Sequence, residues 1–156
     1  MGLLVIGAGG HGKVVMDILL GNHEIVLGYV DDDETTWGSI RLNQPVLGAV
    51  ERWREFNASG LVMGIGSSRV RKTLVEGLGV DAPWESAVHP SATSVAPSAQ
   101  LGTGVVIAAG AIVNPDAVIG DFAIINTGAT VDHDCIIGRY AHIAPGTNLG
   151  RHCARW

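Results

Sequence analysis

An aliphatic residue recurs at every sixth position in the second half of the chain. The repeat runs without a break through Val95, Leu101, Ile107, Val113, Ile119, Ile125, Val131, Ile137, Ile143 and Leu149. An α-helix would place its buried residues about 3.6 positions apart and a simple strand about 2 apart, so neither explains a period of six. Hexapeptide repeats are typical of parallel β-helices. We therefore predict a three-sided prism in which each hexapeptide forms one side and one corner.

The same repeat predicts what fills the prism. The aliphatic side chain should point inward, and the residue four places later is small in most repeats. Because three sides complete a coil, residues 18 apart should stack at the strand spacing of about 4.8 Å. Cys135 and Cys153 stand in this relation, and we expect both to be small, reduced core residues. Glycine directly follows the aliphatic residue in four repeats, where we expect corners that need backbone freedom, at Gly102, Gly120, Gly138 and Gly150.

The first half of the chain has a different pattern, in which apolar strands alternate with amphipathic helices. We predict strands at 3–6, 25–30 and 61–65, and helices at 13–20, 49–56 and 70–78. Gly21 and Asn22 should end the first helix in the left-handed conformation, and Ser68 should cap the last. A short strand is expected near residues 46–47. Alternating strands and helices predict a parallel sheet with crossover helices, a Rossmann-like α/β domain.

A glycine-rich turn joins the first strand to the first helix. Gly7, Gly9 and Gly12 fit the spacing G-x-G-x-x-G, and Asp31 and Asp32 follow about twenty residues later, as in a dinucleotide site. However, a full dinucleotide site takes two mononucleotide halves, and this domain has room for one. The turn therefore favours the diphosphate of a nucleotide sugar at the helix N-terminus. Two alternatives are an NAD site and a turn required only for tight packing.

Charge and hydropathy exclude several classes of partner. The formal net charge is −5 and the basic residues are not clustered, which disfavours nucleic acid. No apolar run approaches the roughly 20 residues that span a bilayer, so we predict no membrane span. The chain begins as a strand rather than as a signal peptide and contains two cysteines, which favours a cytoplasmic location.

His133 is the candidate catalytic residue, because Asp132 and Asp134 flank it near a predicted corner where side chains face outward. A carboxylate beside an imidazole can fix its tautomer and raise its basicity, as a general base requires. On position alone, an exposed surface histidine is the alternative. His142 and His152 raise a metal hypothesis as well. Their spacing places the three rings on different sides of the prism, whereas zinc needs converging ligands, so we expect no metal.

Several motifs occur in order along the whole chain and together resemble one family, the bacterial sugar acetyltransferases of the sialic-acid O-acetyltransferase and UDP-4-amino-sugar N-acetyltransferase type. These motifs are GAGGHGK at 7–13, the aspartate pair at 31–32, IGS at 65–67, HPSA at 89–92, NTGATVDHDC at 126–135 and IGRYAHIAPG at 137–146. The resemblance implies a left-handed β-helix and a homotrimer with each active site between two β-helices.

The resemblance also implies a role for each matching residue. His133 corresponds to the catalytic base and Asp134 to the neighbour that orients it. His142 and Gly146 correspond to residues that bind acetyl-CoA. The residues implied to bind the nucleotide-linked sugar are Gly10, His11, Asp31, Asp32, Gly66 and Ser67.

The reaction implied is direct transfer of an acetyl group from acetyl-CoA to the amine of a UDP-linked 4-amino sugar, for surface or protein glycan synthesis. Alternatives are O-acetylation of a sialic-acid-type sugar and a non-catalytic trimer that binds a nucleotide sugar. We expect a nucleotide-sugar domain at residues 1–85 and a β-helix acetyltransferase domain at residues 86–156. Family members continue through further coils, so the resemblance implies a β-helix truncated at its C-terminus.

Overall fold

The computed structural model describes residues 1–92, 94–150 and 153–155. The N-terminal part is an α/β unit followed by a parallel β-helix. The elements of the first unit, in chain order, are β1 (Leu3–Ile6), α1 (Gly10–Gly21), β2 (Val26–Val30), a 3₁₀ turn (Glu34–Thr36), β3 (Ile40–Arg41), β4 (Gln44–Pro45), a 3₁₀ helix (Val50–Phe56), β5 (Gly60–Met63), α2 (Ser68–Leu78) and β6 (Trp84–Glu85).

The first unit is built on a parallel sheet of order β2-β1-β5-β6. Both of its faces are covered, as parallel sheets require. Val5 packs on one side with Val15 and Leu19 of α1. On the other side, Leu4 packs with Trp53 and residues of α2. Successive side chains of β1 point to opposite cores because the side chains of a strand alternate between the two faces of a sheet.

Several predicted boundaries in this unit were wrong in detail. Helix α1 begins at Gly10 rather than at residue 13, so half of the glycine-rich turn forms its first turn. The positive φ after α1 belongs to His23, at 61°, and not to Asn22, at −85°. Ser67, one residue earlier than expected, caps α2 by accepting a hydrogen bond from the Val70 amide.

Two other segments of the first unit also differ from expectation. Within the segment 49–56, the helix is a 3₁₀ helix at Val50–Phe56 and not an α-helix. The strand expected near residues 46–47 is only an isolated bridge between Val46 and Tyr29. Just before it, β3 and β4 form an antiparallel hairpin that the sequence did not suggest.

The β-helix has three flat faces made of two-residue strands. The strands are β7 (Ala87–Val88), β8 (Ser94–Val95), β9 (Gln100–Leu101), β10 (Val106–Ile107), β11 (Ile112–Val113), β12 (Val118–Ile119), β13 (Ile124–Ile125), β14 (Thr130–Val131), β15 (Ile136–Ile137), β16 (His142–Ile143), β17 (Asn148–Leu149) and β18 (Ala154–Arg155). The first face is β7-β10-β13-β16, the second β8-β11-β14-β17 and the third β9-β12-β15-β18. From β8 onward, stacked partners are 18 residues apart, as Ile107 and Ile125 are, which confirms the predicted period; β7 and β10 pair with a spacing of 19 residues.

The hexapeptide aliphatic residues fill the prism, with one exception. From Ile107 to Ile137 each is at most 2% exposed. Leu101 is 38% exposed, contrary to prediction, because β9 ends its face and only β12 lies beside it. Cys135 and Cys153 are both free, and the Cys135 thiol donates a hydrogen bond of 3.2 Å to the carbonyl of Gly150.

From residue 104 to residue 146, each corner is made by one residue in the left-handed backbone region. These residues recur every six positions, at Gly104, Gly110, Asp116, Phe122, Gly128, Asp134, Tyr140 and Gly146. The first corner, between the first and second faces, holds Gly128 and Gly146. The second holds Asp116 and Asp134, and the third holds Phe122 and Tyr140. The predicted flexible corners were wrong, because no positive φ occurs at Gly102, Gly120, Gly138 or Gly150. Gly120 is instead a close-packed position, since an added Cβ would lie 2.6 Å from the Arg139 amide nitrogen.

The α/β unit packs on the first face and the third corner, a contact that we call the seam. Helix α1 lies against Ala87, Val106 and Ile124. At the third corner, Trp84 meets the Phe122 ring edge-on at 5.3 Å, and Phe122 stacks on Tyr140 at 5.5 Å. The seam therefore joins the two units through two continuous hydrophobic clusters.

Candidate active site

His133 lies at the second corner, between β14 and β15. Its Nδ1 atom is 2.6 Å from Oδ2 of Asp134, and the two side chains are 45% and 51% exposed. An ionised carboxylate can only accept, so the ring donates its Nδ1–H and a neutral imidazole then carries its lone pair on Nε2. This arrangement suits a general base that receives a proton from an external group.

The backbone around His133 is held from both sides. Asp134 adopts the left-handed conformation, with φ at 59°. Oδ1 of Asp132 accepts hydrogen bonds from the His133 amide at 2.9 Å and from the side-chain amide of Asn114, one coil below, at 3.0 Å. The stacked coil therefore fixes the loop that carries the histidine.

His142 lies in a different place, on the first face at the seam. Its Nδ1 is 3.1 Å from the carbonyl oxygen of Gly66 in the α/β unit, and its Nε2 is 3.0 Å from the side-chain nitrogen of Asn126. A carbonyl accepts and an amide NH₂ donates, so His142 carries its proton on Nδ1. The Asn126 orientation is fixed because its oxygen accepts the Thr127 amide at 2.8 Å.

His11 approaches His142 across the seam, with ring centroids 6.1 Å apart. Burial, and to a lesser extent the nearby His142 and Arg71, lowers the pKa of His11 to about 4. Within the described part of the chain, its buried Nε2 has no hydrogen-bond partner. His11 is therefore neutral at physiological pH, with one ring nitrogen that a ligand could engage.

The glycines of the N-terminal turn divide into two groups. At Gly12, an added Cβ would collide with the carbonyl oxygen of Gly7, and at Gly7 itself φ is 98°. Packing thus requires both residues to be glycine. Gly9 and Gly10 are exposed, and an added Cβ at either would meet nothing within 4 Å among the described residues. Packing alone does not account for these two glycines, whereas close approach of a ligand would.

The aspartate pair is tied to the backbone of the same unit. Asp31 accepts hydrogen bonds from the amides of Ala8 at 2.7 Å and Asp33 at 2.8 Å. Asp32 accepts one from the Val50 amide at 2.9 Å. A small cavity of about 160 Å³ borders both carboxylates and reaches Gly7. The pair therefore shapes the end of β2 and also faces a space beside the glycine-rich turn.

Three further predicted residues have clear positions. Gly66 supplies the carbonyl that binds His142, and Ser67 is the N-cap of α2. Gly146 is exposed at the first corner, with φ at 69°. A groove of about 840 Å³ opens between α2 and the third corner, where His142 and Tyr140 form part of its lining.

A single chain brings only part of the predicted site together. The seam gathers His142, His11 and Gly66, with Gly10 in the same turn of α1 as His11. His133 and Asp134 lie at the second corner, across the prism from the seam, which occupies the first face and the third corner. His142, predicted to bind acetyl-CoA, contacts the predicted sugar-binding loop at Gly66.

Sequence reasoning missed three residues, two of them at the seam and one in the α/β unit. Arg71 is 1% exposed and binds carbonyls of both units. Arg41, in the β3–β4 hairpin, donates to the carbonyl of Ala8, and Asn126 orients His142. A signal for Arg71 existed, because it occupies the apolar stripe of α2 four residues before Val75, where a solvated arginine is not expected.

The described residues contain no group of three His, Cys, Asp or Glu side chains that could hold a metal ion. His152, the third histidine of the metal hypothesis, lies outside the described residues. No described helix has the length and apolar character needed to cross a membrane.

Comparisons with known proteins match both units. Residues 2–78 match the family described as PglD N-terminal domain, and residues 116–151 match the bacterial transferase hexapeptide family, described as six repeats. UDP-N-acetylbacillosamine N-acetyltransferase of Bacillus subtilis (strain 168) is 37% identical over 110 residues, which cover 67% of this chain. The matched region spans 50% of the length of that curated relative.

Solved structures resemble the whole chain. GDP-perosamine N-acetyltransferase from Caulobacter crescentus, solved as a histidine-to-alanine mutant with CoA and GDP-perosamine, is 41% identical with a TM-score of 0.88. The match covers 96% of this chain and 71% of that one. The acetyltransferase domain of PglB from Neisseria gonorrhoeae FA1090, in complex with acetyl coenzyme A, is 36% identical with a TM-score of 0.85, covering 95% and 72% of the two chains.

These matches confirm the predicted fold class, a Rossmann-like α/β domain followed by a left-handed parallel β-helix. They also confirm the resemblance that the sequence motifs carried. The chain therefore belongs to the family of bacterial hexapeptide-repeat sugar acetyltransferases of the sialic-acid O-acetyltransferase and UDP-4-amino-sugar N-acetyltransferase type.

Proposed function

We propose that this protein transfers the acetyl group of acetyl-CoA to the amine of a nucleotide-linked amino sugar, with His133 as general base. The observation that carries the proposal is the 2.6 Å contact between Nδ1 of His133 and the Asp134 carboxylate, at an exposed corner of the β-helix. Two of the relatives named above are N-acetyltransferases by name, which supports the amine over a hydroxyl as acceptor.

In the proposed reaction, the amine nitrogen attacks the thioester carbonyl carbon while Nε2 of His133 takes its proton. A C–N bond forms, the C–S bond breaks, and the imidazolium returns the proton to the sulfur, so that CoA leaves as the thiol and His133 is neutral again. Asp134 stabilises the imidazolium that forms, because its carboxylate already accepts the Nδ1–H. A backbone N–H would hold the developing oxyanion. No covalent enzyme intermediate is required.

The substrate-binding assignments are proposals of the same kind. Gly10 and His11 would lie beside the diphosphate, where two glycines not required by packing leave the backbone open. Asp31 and Asp32 would contact the nucleoside, and Gly66 and Ser67 would lie along the sugar. His142 and Gly146 would bind acetyl-CoA. We retain the division into a nucleotide-sugar domain at 1–85 and an acetyltransferase domain at 86–156.

A homotrimer would complete the site. In one chain His133 lies at the second corner, whereas the proposed sugar-binding residues lie at the seam. A second β-helix placed against the second corner could bring its own seam to His133. The proposed site therefore lies between two copies, with acetyl-CoA held between adjacent β-helices.

Two features of the proposed substrate are the nucleotide that carries the sugar and the group that receives the acetyl. Named relatives act on a UDP-linked or a GDP-linked sugar, so we propose a nucleotide-linked amino sugar of one of these two kinds, used for glycan synthesis in the cytoplasm. Sialic-acid-type O-acetylation is the alternative chemistry. A nucleotide-sugar-binding trimer without turnover is the second candidate, because the proposed sugar-binding residues lie at the seam of each chain, apart from His133.

The test is acetyl-CoA turnover with UDP- and GDP-linked amino sugars, together with calorimetry of nucleotide-sugar binding. We expect turnover in the wild-type protein and its loss in His133→Ala, with sugar binding unchanged. Binding without turnover in the wild-type protein would favour the binding trimer. Tight binding of NADH with no response to nucleotide sugars would contradict both.

A further inference from the structure

Arg71 is the one charged residue that is fully buried in the described part of the chain. Burial lowers the pKa of its guanidinium to about 10, so the side chain is still protonated at neutral pH. A buried charge is costly unless it is thoroughly hydrogen-bonded. The buried charge of Arg71 therefore requires specific hydrogen-bond partners, which apolar packing alone would not supply.

The Arg71 guanidinium donates hydrogen bonds to backbone carbonyls on both sides of the seam. In the α/β unit it binds Ile65 at 3.0 Å and Gly66 at 2.7 Å. In the β-helix it binds Phe122 at 3.0 Å, Tyr140 at 2.6 Å and Ala141 at 3.2 Å. Carbonyl dipoles from two units thus hold the charge.

The β-helix carbonyls belong to the third corner. Phe122 and Tyr140 stack 18 residues apart, and both have a positive φ, 56° and 60°. Such corner residues leave the strand ladder, so their carbonyls need donors from elsewhere. The planar fork of an arginine can reach several acceptors at once, which a lysine ammonium cannot do in the same geometry.

The contacts of Arg71 converge on His142. Gly66 O accepts from Nη1 of Arg71 and also from Nδ1 of His142. Tyr140 and Ala141, which Arg71 also binds, directly precede His142 in the chain. Arg71 therefore holds both the acceptor of the His142 ring proton and the backbone from which that ring projects.

We propose that Arg71 is a positioning residue that aligns the Gly66–Ser67 loop with the coil carrying His142, and so fixes His142 as the Nδ1–H tautomer in the substrate site. The expected effect on substrate binding rests on the proposed function. Loss of this alignment should weaken nucleotide-sugar binding, because the loop is part of the proposed sugar site.

The wild-type protein supplies the first test. In ¹⁵N-histidine-labelled protein, we expect the His142 ring to show the Nδ1–H tautomer at neutral pH. An Nε2–H tautomer would overturn the proposal, because Gly66 O could then receive no ring proton. This result does not depend on the folding of any variant or on catalysis.

The second test compares Arg71→Lys with Arg52→Lys, the same exchange at an exposed arginine paired with Glu55. In Arg71→Lys, confirmed as folded by its melting curve, we expect a mixed His142 tautomer and a KM for the nucleotide sugar raised about tenfold, as expected for one or two lost hydrogen bonds. Arg52→Lys should change neither quantity.

A folded Arg71→Lys variant with a single Nδ1–H tautomer and an unchanged KM would overturn the proposal. If the wild-type protein catalyses no transfer, the proposed function fails, yet the tautomer measurement still decides the role of Arg71. If Arg71→Lys does not fold, the same comparison of tautomer and KM is made with Arg71→Gln, which keeps an amide donor but loses the charge and the fork, and an unchanged tautomer and KM would overturn the proposal.

Discussion

The second corner and the seam each present a histidine, but they place it in opposite surroundings. His133 is half exposed and contacts a carboxylate on the next residue. His142 uses both ring nitrogens on neutral partners from distant parts of the chain, Gly66 and Asn126. The arrangement at His133 favours acceptance of a proton, whereas the arrangement at His142 holds the ring in one orientation. Two histidines nine residues apart thus gain different roles from their position on one prism.

The sharpest test of this comparison is to replace each histidine by asparagine. His133→Asn should lower kcat by roughly 10²- to 10⁴-fold, the usual contribution of a general base. His142→Asn retains a hydrogen-bond donor near Gly66 O. We therefore expect kcat/KM to fall by no more than about tenfold, mainly through a higher KM for the nucleotide-linked sugar. Steady-state kinetics with acetyl-CoA and a nucleotide-linked amino sugar measure both. Equal losses of kcat would contradict the distinction.

The seam should make folding stability depend on pH. The pKa of His11 is about 4 in the folded protein, against about 6.5 in an unfolded chain. Between these values the unfolded state binds a proton that the folded state does not. The stability should therefore fall as pH decreases from about 6.5 to 4, by on the order of 2 to 3 kcal/mol. Urea unfolding across this range measures the slope.

Two variants isolate the contribution of His11 to that slope. His11→Gln removes the titrating group and should flatten the pH dependence. His23→Asn removes an exposed histidine at a positive φ that asparagine tolerates, and the slope should persist. An unchanged slope in His11→Gln would assign the pH dependence to another group.

Asp134→Asn tests the second corner without removing its histidine. The amide keeps a similar shape but loses the charge, so a charge-assisted hydrogen bond worth about 1.5 to 3 kcal/mol is weakened. We expect kcat to fall by roughly 10- to 100-fold, with KM for both substrates nearly constant. A wild-type rate in this variant would mean that Asp134 contributes to the backbone conformation of the corner and not to catalysis.

The smallest effect is expected at Asp116, which occupies the same corner as Asp134 one coil below, with φ at 61°. Asp116→Gly relieves the left-handed strain but adds freedom to the unfolded chain, so the stability should rise by less than about 1 kcal/mol. Turnover should not change. The shift of the urea unfolding midpoint at constant slope measures the gain in stability. A clear loss of turnover would mean that Asp116, one coil below, also contributes to catalysis.

The parts of the site that sequence predicted correctly are those set by short spacing. The prism follows from a six-residue period, and the contact between His133 and Asp134 joins adjacent residues. Errors arose where the backbone conformation was inferred from residue type. Glycine was expected to mark the corners, yet Phe122 and Tyr140 occupy the left-handed corner position, while Gly120 is required by close packing.

The sequence by itself determined the parallel β-helix, the α/β unit before it and an outward histidine beside an aspartate, because each depends on residues one, six or eighteen positions apart. Only the tertiary structure decided that Arg71 and His142 meet at Gly66, since Arg71 lies 69 and 70 residues from its partners Tyr140 and Ala141, and His142 lies 76 residues from Gly66. These contacts exist because the surfaces of two units pack together, and local spacing along either surface carries no information about how they meet.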